Sequence, residues 1–263
     1  MTHMVCGYPN ILESEEIFKT LSKYSEYLEV QFPFSDPIAD GPVIEQANKI
    51  ALENGITTEK CFDFLSSFWI KGSTLEVWKG DGLFKNPKIL IMTYYNIVLN
   101  YWVENFVKKA KSIWIYGLII PDVPFDEEDW ENFRKICEKY DLVFTEIVSP
   151  ITTKKRLEQI KELNPELIYA ISQNMTTWSK AEFWEEFEKY IKNLNSIFKN
   201  SPPYKGGARG GPKIWVWFWV KTIQDIEKIC KLTDFAIIWS EFIKKYNNWW
   251  ISELEKYLEE ITK

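Results

Sequence analysis

Apolar and polar positions along the chain alternate between two spacings. Short apolar runs such as 88–93 are followed by longer segments in which apolar residues recur at the spacing of a helical turn. Several short runs are almost continuously apolar, which is typical of parallel strands buried on both faces. The pattern predicts eight strands, each followed by a helix, and the strands cover residues 2–7, 27–32, 88–93, 115–120, 142–148, 166–172, 213–220 and 234–239.

Eight strand–helix units in a chain of 263 residues predict a single α/β domain, 1–263, folded as a (β/α)8 TIM barrel. The alternative is an open doubly wound sheet, but no GxGxxG motif follows the first strand. No helical pattern precedes that strand, so we expect the N-terminal plugging helix to be absent. Two segments, 71–87 and 200–212, contain several glycines and prolines and show no clear period.

Capping residues predict where several helices begin and end. We expect Ser14 to cap the first helix and Thr57 to cap the third. The second helix should run over about 42–53, because a proline opens this segment and an Asn-Gly pair follows it. Further helices are expected over about 101–111 and from about 240 to 262.

The composition narrows the class of protein. The hydrophobic fraction of 46% excludes disorder for most of the chain, and the net charge of −6 arises from acidic and basic residues that are mixed along it. No basic cluster favours a nucleic-acid partner, and no apolar run is long enough to span a membrane. The N-terminus lacks the pattern of a signal peptide. We therefore expect a cytoplasmic protein that binds neither nucleic acid nor membrane.

Cysteine and histidine usage restricts the chemistry further. The four cysteines form no CxxC motif and are expected to be reduced, buried thiols. The single histidine, His3, excludes a histidine-rich metal site and argues against a Ser-His or Cys-His relay. Acid–base chemistry is therefore expected to fall to carboxylates or tyrosines.

The stretch 28–44 carries the strongest candidate site. It begins as an apolar strand that contains Glu29, and a carboxylate in such a strand is costly to bury unless it is paired or used. The strand leads into a proline-restricted loop that carries Asp36 and Asp40. Both could instead be solvated turn residues. Two carboxylates from different elements suit proton transfer, with Glu29 as the more desolvated group and Asp40 as the group that stays ionised.

The active site of a TIM barrel forms from the loops that follow the strands. The residues at those positions of this chain are rich in acids and tyrosines. They are Glu29, Asp36, Asp40, Tyr94, Asn96, Asp122, Tyr169, Ser172, Thr177 and Ser240.

Six segments, spread along nearly the whole chain, match the motifs of one known family. They are Leu28-Glu29-Val30 with Pro33 to Pro42, Gly7-Tyr8-Pro9, Met92-Thr93-Tyr94-Tyr95-Asn96, Gly117 to Pro124, Ser149-Pro150 with Thr152-Thr153, and Ile168-Tyr169-Ala170-Ile171-Ser172. Together these motifs resemble the tryptophan synthase alpha chain family, and as a set they are far more specific than any one of them.

The resemblance implies a lyase of tryptophan biosynthesis. Such an enzyme cleaves indole-3-glycerol phosphate to indole and glyceraldehyde 3-phosphate, a retro-aldol reaction without metal or cofactor, and it pairs with a β subunit. The resemblance implies Glu29 as the general acid–base that protonates C3 of indole, and Asp40 as the group that takes the indole N–H proton. It also implies that 33–44 and 173–180 form the interface and the lid. The remaining implied residues are Tyr94, Tyr169, Thr177, Phe218, Trp219, Trp239 and Ser240 at the substrate, and Asp36, Asn96 and Asp122 at the interface.

The chain departs from the family at glycines whose backbone N–H groups are expected to bind the substrate phosphate. Trp217, Trp219 and Trp239 stand at or beside such positions. Either their rings fill the phosphate site, or the rings point away and the amides still bind. We favour occlusion of the phosphate site, because a residue with a large ring disfavours positive φ and keeps a phosphate from approaching the backbone closely. The alternative function is then an engineered or diverged non-catalytic barrel that binds an aromatic ligand or only a β-type partner.

Three further positions also carry a residue where glycine is expected. Gln31 lies at the end of the second strand, Trp102 lies at the start of the helix predicted over 101–111, and Trp114 lies three residues after that helix. We predict that Trp102 and Trp114 are packing residues of the barrel.

Overall fold

The computed structural model describes residues 1–37, 40–70, 87–123, 132–172, 180–198, 201, 211–217, 223–238 and 240–262. Its strands are β1 Thr2–Val5, β2 Tyr27–Gln31, β3 Lys88–Met92, β4 Gly117–Ile119, β5 Val143–Val148, β6 Leu167–Ile171, β7 Lys213–Trp217 and β8 Phe235–Ile237. Its helices are α1 Ile11–Tyr24, α2 Pro42–Glu53, α3 Thr58–Ile70, α4 Tyr95–Asn100, α5 Val103–Ser112, α6 Phe133–Lys139, α7 Lys154–Glu162, α8 Lys180–Phe198, α9 Ile223–Cys230 and α10 Ser240–Ile261. The strands follow chain order in a parallel sheet, which confirms the predicted (β/α)8 TIM barrel.

The chain divides into two compact units. The first, Met1–Val143 with Trp239–Lys263, contains β1 to β4 and α10. In this unit β2 lies between β1 and β3, and its register places Glu29 opposite His3 and Leu90. The second unit, Phe144–Ile238, contains β6 to β8 and nearly all of β5.

Aromatic side chains fill the space between β2 and the helices of the first unit. Phe18 on α1 stacks on Phe68 of α3 with ring centroids 4.0 Å apart. Phe32, directly after β2, meets Phe62 of α3 edge-on at 5.1 Å. Burying a phenylalanine side chain contributes about 1.5–3 kcal/mol, so this cluster holds both helices and the start of the loop after β2.

The first helix begins earlier than predicted. The Asn10 side chain accepts a hydrogen bond from the Glu13 N–H at 3.0 Å, so Asn10 and not Ser14 is the cap. Ser14 lies inside α1, where its hydroxyl accepts a hydrogen bond from the Gly7 N–H at 3.0 Å. The serine therefore ties the helix to the end of β1 instead of starting it.

The predictions for α2 and α3 are confirmed. α2 spans Pro42–Glu53, and the Thr57 hydroxyl accepts a hydrogen bond from the Lys60 N–H at 3.3 Å before α3. The helix predicted over 101–111 is α5, but the short α4 before it was missed. Its six residues are too few to show a helical period in the sequence.

Trp102 and Trp114 do not pack in the barrel as predicted. Each is 75% exposed, and their φ angles are +66° and +63°. They flank α5, one directly before it and one two residues after it. Their rings project into solvent while their backbones adopt a conformation that favours glycine.

One cysteine prediction is also corrected. Cys230 is exposed, whereas the other three cysteines are buried as expected, and none of the four, all of which lie in the described ranges, forms a disulfide. Among the helices of the described ranges, none is long and apolar enough to cross a membrane.

Candidate active site

Glu29 lies in the middle of β2 and is fully buried. Its neighbours in the sheet are His3 on β1 and Leu90 on β3. Because side chains alternate along a strand, Glu29 and Gln31 project from the same face of β2. The first carboxylate predicted from the sequence is thus held inside the protein on a rigid element, as an acid–base group requires.

The loop after β2 is fixed by hydrogen bonds and a ring contact. The Phe32 N–H donates to the Met92 carbonyl at 2.9 Å, and the Phe34 N–H donates to Asn48 Oδ1 at 3.0 Å. The Phe34 ring stacks on Tyr94 with centroids 4.8 Å apart. These contacts tie the loop to β3 and α2, and they set the path of the chain toward the second carboxylate.

That second carboxylate, Asp40, is buried as well, with 7% of its surface exposed. Its Oδ2 accepts a hydrogen bond from Gln31 Nε2 at 2.6 Å, and Asn48 Nδ2 lies 3.5 Å away. Burial raises the pKa of this carboxyl to about 7, although hydrogen bonds from Gln31 and Tyr94 lower it. The prediction that Asp40 stays ionised is therefore wrong: near neutral pH it exchanges between two protonation states. Its burial also excludes the alternative of a solvated turn residue.

Two buried residues that the sequence analysis did not assign to the site connect to Asp40, Gln31 directly and His3 through Gln31. Gln31 is fully buried at the end of β2, and its Oε1 lies 2.9 Å from His3 Nε2. Burial lowers the pKa of His3 to about 3, so this histidine is neutral. The sequence carried one signal, which is a second polar residue on the same face of an apolar strand as Glu29. The pairing of Gln31 with a residue on β1 has no sequence signature.

The three residues predicted at an interface follow three successive strands of the first unit. Asp36, Asn96 and Asp122 come after β2, β3 and β4, and all three are exposed. Asp122 Oδ1 also accepts a hydrogen bond from the Tyr95 N–H at 2.7 Å, which joins the loop after β4 to the start of α4. These polar groups are therefore accessible on segments that follow parallel strands, Asp36 and Asp122 in loops and Asn96 in the first turn of α4.

The predicted substrate residues on or after β6, β7 and β8 are described in part. Tyr169 on β6 is 2% exposed and lies opposite Trp215 of β7, which is fully buried. Ser172, directly after β6, is buried as well. Thr177, Phe218, Trp219 and Trp239 lie outside the described residues, and of Trp217 and Ser240 only the backbone position is described. Whether tryptophan rings occlude a phosphate site therefore stays a prediction.

Among the residues that the structure describes, no group of three or more His, Cys, Asp or Glu could hold a metal ion. The groups suited to chemistry at the end of β2 are the two buried carboxyls and the amide and ring side chains around them.

A (β/α)8 barrel with one buried carboxyl on its second strand and another in the following loop has the arrangement typical of TIM-barrel enzymes that use acid–base chemistry. The model of the tryptophan synthase alpha chain family matches residues 1–262. The chain belongs to this family, and it is a lyase of tryptophan biosynthesis.

Similar proteins cover the whole chain. The tryptophan synthase alpha chain of Flavobacterium psychrophilum is 31% identical over 256 residues, which are 97% of this chain and 91% of the relative. That of Campylobacter jejuni subsp. doylei is 31% identical over 265 residues, covering 100% of this chain and 94% of the relative. The solved alpha subunit from Campylobacter jejuni superposes with a TM-score of 0.79 at 29% identity, covering 99% of this chain and 94% of that one.

Proposed function

We propose that this chain cleaves indole-3-glycerol phosphate to indole and glyceraldehyde 3-phosphate. The observation that carries the proposal is the pair of buried carboxyls, Glu29 on β2 and Asp40 in the loop after it. Cleavage of the bond at C3 of the indole ring needs three proton transfers. A proton is delivered to C3, a proton is removed from the hydroxyl group on the substrate carbon attached to C3, and the ring N–H proton is held by an acceptor. Two carboxyl groups in different environments can perform these three tasks.

Each proton in the proposed reaction has a donor and an acceptor. Glu29 protonates C3 of the indole ring while Asp40 accepts the ring N–H proton, which gives the indolenine tautomer. Glu29, now a carboxylate, removes the proton of the hydroxyl on the carbon attached to C3. The electrons of that O–H bond form the aldehyde, the carbon–carbon bond breaks, and Asp40 returns its proton to the ring nitrogen. Both carboxyls end in their starting states.

The environment of Asp40 supports its part in this sequence. A pKa of about 7 lets the group accept and return a proton near neutral pH with little loss in either direction. Its Oδ1 is buried and has no hydrogen-bond partner among the described residues, whereas Oδ2 is bound by Gln31. One oxygen is thus fixed by the protein and the other is left for the substrate.

Indole release is the measurement that tests this proposal. Glu29→Gln and Asp40→Asn should each lower the rate by about 100- to 10,000-fold, as loss of a general acid or base does. Glu146→Gln is the matched control, because Glu146 is a buried acid on β5 that the mechanism does not use. Full turnover in Glu29→Gln would contradict the role given to Glu29.

A second outcome would favour the non-catalytic alternative. A folded wild-type protein that releases no indole, and that glycerol phosphate does not protect against unfolding, would indicate an occluded phosphate site. Active protein should instead be stabilised by glycerol phosphate in the same assay.

We also propose that the protein binds a tryptophan synthase β subunit through the loops that follow β2, β3 and β4. In support, a cleft of about 750 Å³ lies between the first of these loops and α2. Asp36 lines it on the loop side, and Glu45, Gln46 and Lys49 line it on the side of α2. Asp36→Lys should weaken the complex in sedimentation velocity. Glu138→Lys, which makes the same charge change on an exposed position of α6, should not. Equal affinities for both variants would contradict the assignment of the interface.

A further inference from the structure

A chain of three buried polar side chains leads from β1 to the loop that carries Asp40. His3 Nε2 lies 2.9 Å from Gln31 Oε1, and Gln31 Nε2 lies 2.6 Å from Asp40 Oδ2. His3 is 1% exposed and Gln31 is 0% exposed, so water does not compete for these contacts. The parallel register of β1 and β2, in which Val5 lies opposite Gln31, holds the first two members together.

The direction of each hydrogen bond in this chain follows from the chemistry of its groups. An ionised carboxylate only accepts, so Gln31 Nε2 donates to Asp40 and Gln31 Oε1 is left to accept. His3 Nε2 must then carry the hydrogen that it donates to Gln31 Oε1. A neutral histidine meets this requirement with a single N–H group.

Asn48 restricts the Gln31 amide from the other side. Asn48 Oδ1 accepts from the Phe34 N–H at 3.0 Å, and Asn48 Nδ2 donates to the Ile44 carbonyl at 2.9 Å. Turning this amide over would lose both bonds. Asn48 therefore presents its Oδ1 to Gln31 Nε2, at 3.5 Å, and favours the orientation in which that nitrogen points toward Asp40.

We propose that Gln31, held by His3, is a positioning residue for Asp40 in the lyase reaction. It binds Oδ2 of the carboxylate, favours the ionised form, and leaves Oδ1 to take the indole N–H proton. The inference rests on the proposed function, in which Asp40 accepts that proton. It gives a role to a side chain at a position where the family resemblance leads to glycine.

Several groups set the charge on Asp40. Burial raises its pKa, Gln31 lowers it, Glu45 on α2 raises it, and Tyr94 lowers it. Glu29 projects from the same face of β2 as Gln31. Without the Gln31 donor, the Tyr94 hydrogen bond is left to oppose the rise in the Asp40 pKa that burial and Glu45 cause. We expect the Asp40 pKa to rise by about 1–2 units, which corresponds to a hydrogen bond to a charged group.

The direct test is the titration of Asp40 by NMR in protein labelled with carbon-13 at the aspartate carboxyl, with Asp40→Asn to assign the signal. Gln31→Met keeps the length of the side chain and removes its amide. In this variant the midpoint should move up by about 1–2 pH units. An unchanged midpoint would overturn the proposal.

Variants of His3 test whether it holds the glutamine. His3→Phe should raise the Asp40 midpoint in the same direction as Gln31→Met but by less, because the amide remains and can turn away. His3→Gln should restore the wild-type midpoint, since its amide nitrogen can replace Nε2 as the donor. A midpoint that His3→Phe leaves unchanged would contradict the part assigned to His3.

The pH profile of kcat/KM for indole release gives a second readout. At pH 7 the value for Gln31→Met should fall about 5- to 50-fold, because fewer Asp40 carboxyls are ionised, and it should recover toward wild type near pH 9. A purely structural role would lower kcat/KM by the same factor at every pH, which would contradict the proposal.

Thr2→Val is the matched control. Thr2 is a buried residue of β1 whose hydroxyl lies 2.6 Å from Ser25 Oγ, so the variant removes a buried hydrogen bond away from Asp40. It should lower stability and leave the Asp40 midpoint unchanged, and an equal shift would show a general packing effect. If the wild type releases no indole, the proposed function fails, whereas the NMR titration still decides whether Gln31 controls Asp40.

Discussion

Replacing Trp102 or Trp114 with glycine should stabilise the protein. Trp102 has φ +66° and ψ +115°, and Trp114 has φ +63°. Neither backbone can relax easily, because each takes part in hydrogen bonds at an end of α5. The Trp102 carbonyl accepts from the Phe106 N–H at 2.9 Å, and the Trp114 N–H donates to the Lys111 carbonyl at 3.0 Å.

The surroundings of Trp114 form a helix end that normally carries glycine. Together with the Trp114 N–H bond, the Ile115 N–H donates to the Ala110 carbonyl at 3.1 Å, which completes a Schellman motif. The same two-bond pattern ends α2, where Gly55 has φ +75°. The same helix-end motif therefore carries a glycine, Gly55, after α2 and a tryptophan, Trp114, after α5.

The size of the effect follows from two opposing terms. A side chain in the left-handed region costs about 1–2 kcal/mol relative to glycine. Glycine also gives the unfolded chain more conformational freedom, which favours unfolding and reduces the stabilisation by about 0.4–1 kcal/mol. Because both rings are 75% exposed, little packing is lost. Each variant should therefore gain about 0.5–1 kcal/mol, and the double variant about 1–2 kcal/mol, since the sites lie at opposite ends of a helix.

Urea unfolding of the single and double variants measures these gains. Trp102→Ala and Trp114→Ala are the controls, because alanine removes the exposed ring but keeps the β carbon that makes a positive φ costly. The alanine variants should gain little. If alanine stabilised as much as glycine, or if glycine gave no gain, the argument from backbone strain would be refuted.

Three other predictions test the site and the core. Asp40→Asn should make the free energy of unfolding depend less on pH between pH 4 and 8. The raised pKa of Asp40 in the folded state stabilises the wild type at low pH by up to about 4 kcal/mol, and this contribution is lost as the pH rises through 7. An unchanged slope in urea unfolding measured across this pH range would contradict the prediction. Gly7→Ala should destabilise the protein by about 2–4 kcal/mol, because the added β carbon would lie 2.3 Å from Ile56 Cγ1 at a residue with a φ of +79°. Gly41→Ala is the control: its β carbon would meet no atom within 4 Å, so the free energy of unfolding should change little. Phe18→Ala should cost about 3–5 kcal/mol in thermal and urea unfolding, and a cost below 1 kcal/mol would show that the ring cluster does not hold α1.

The strand and helix pattern could be predicted because it depends on local spacing. α2 was predicted within its observed bounds, since a proline and an Asn-Gly pair mark both ends. The start of α1 was not, because Asn10 and Ser14 are both capping types and only the fold decides which side chain meets a helical N–H. The exposure of Trp102 and Trp114 and their positive φ angles depend on the path of the backbone at the two ends of α5, which the sequence pattern does not reveal.

The two carboxyls of the candidate site could be predicted from one stretch, but their environment could not. Glu29 stood out as an acid in an apolar strand, and its burial is confirmed. The burial of Asp40 depends on Gln31 and Asn48, which come from β2 and α2. The contact between Gln31 and His3 joins residues on neighbouring strands, so it exists only once the register of β1 and β2 is set.

The measurement that tests the central claim most directly is indole release from indole-3-glycerol phosphate by the wild type, by Glu29→Gln and by the control Glu146→Gln, each with and without a β subunit. We predict indole above background from the wild type and the control, and its loss in Glu29→Gln. Equal release from all three proteins would contradict the role of Glu29, and no release from a folded wild type would contradict the proposed reaction itself.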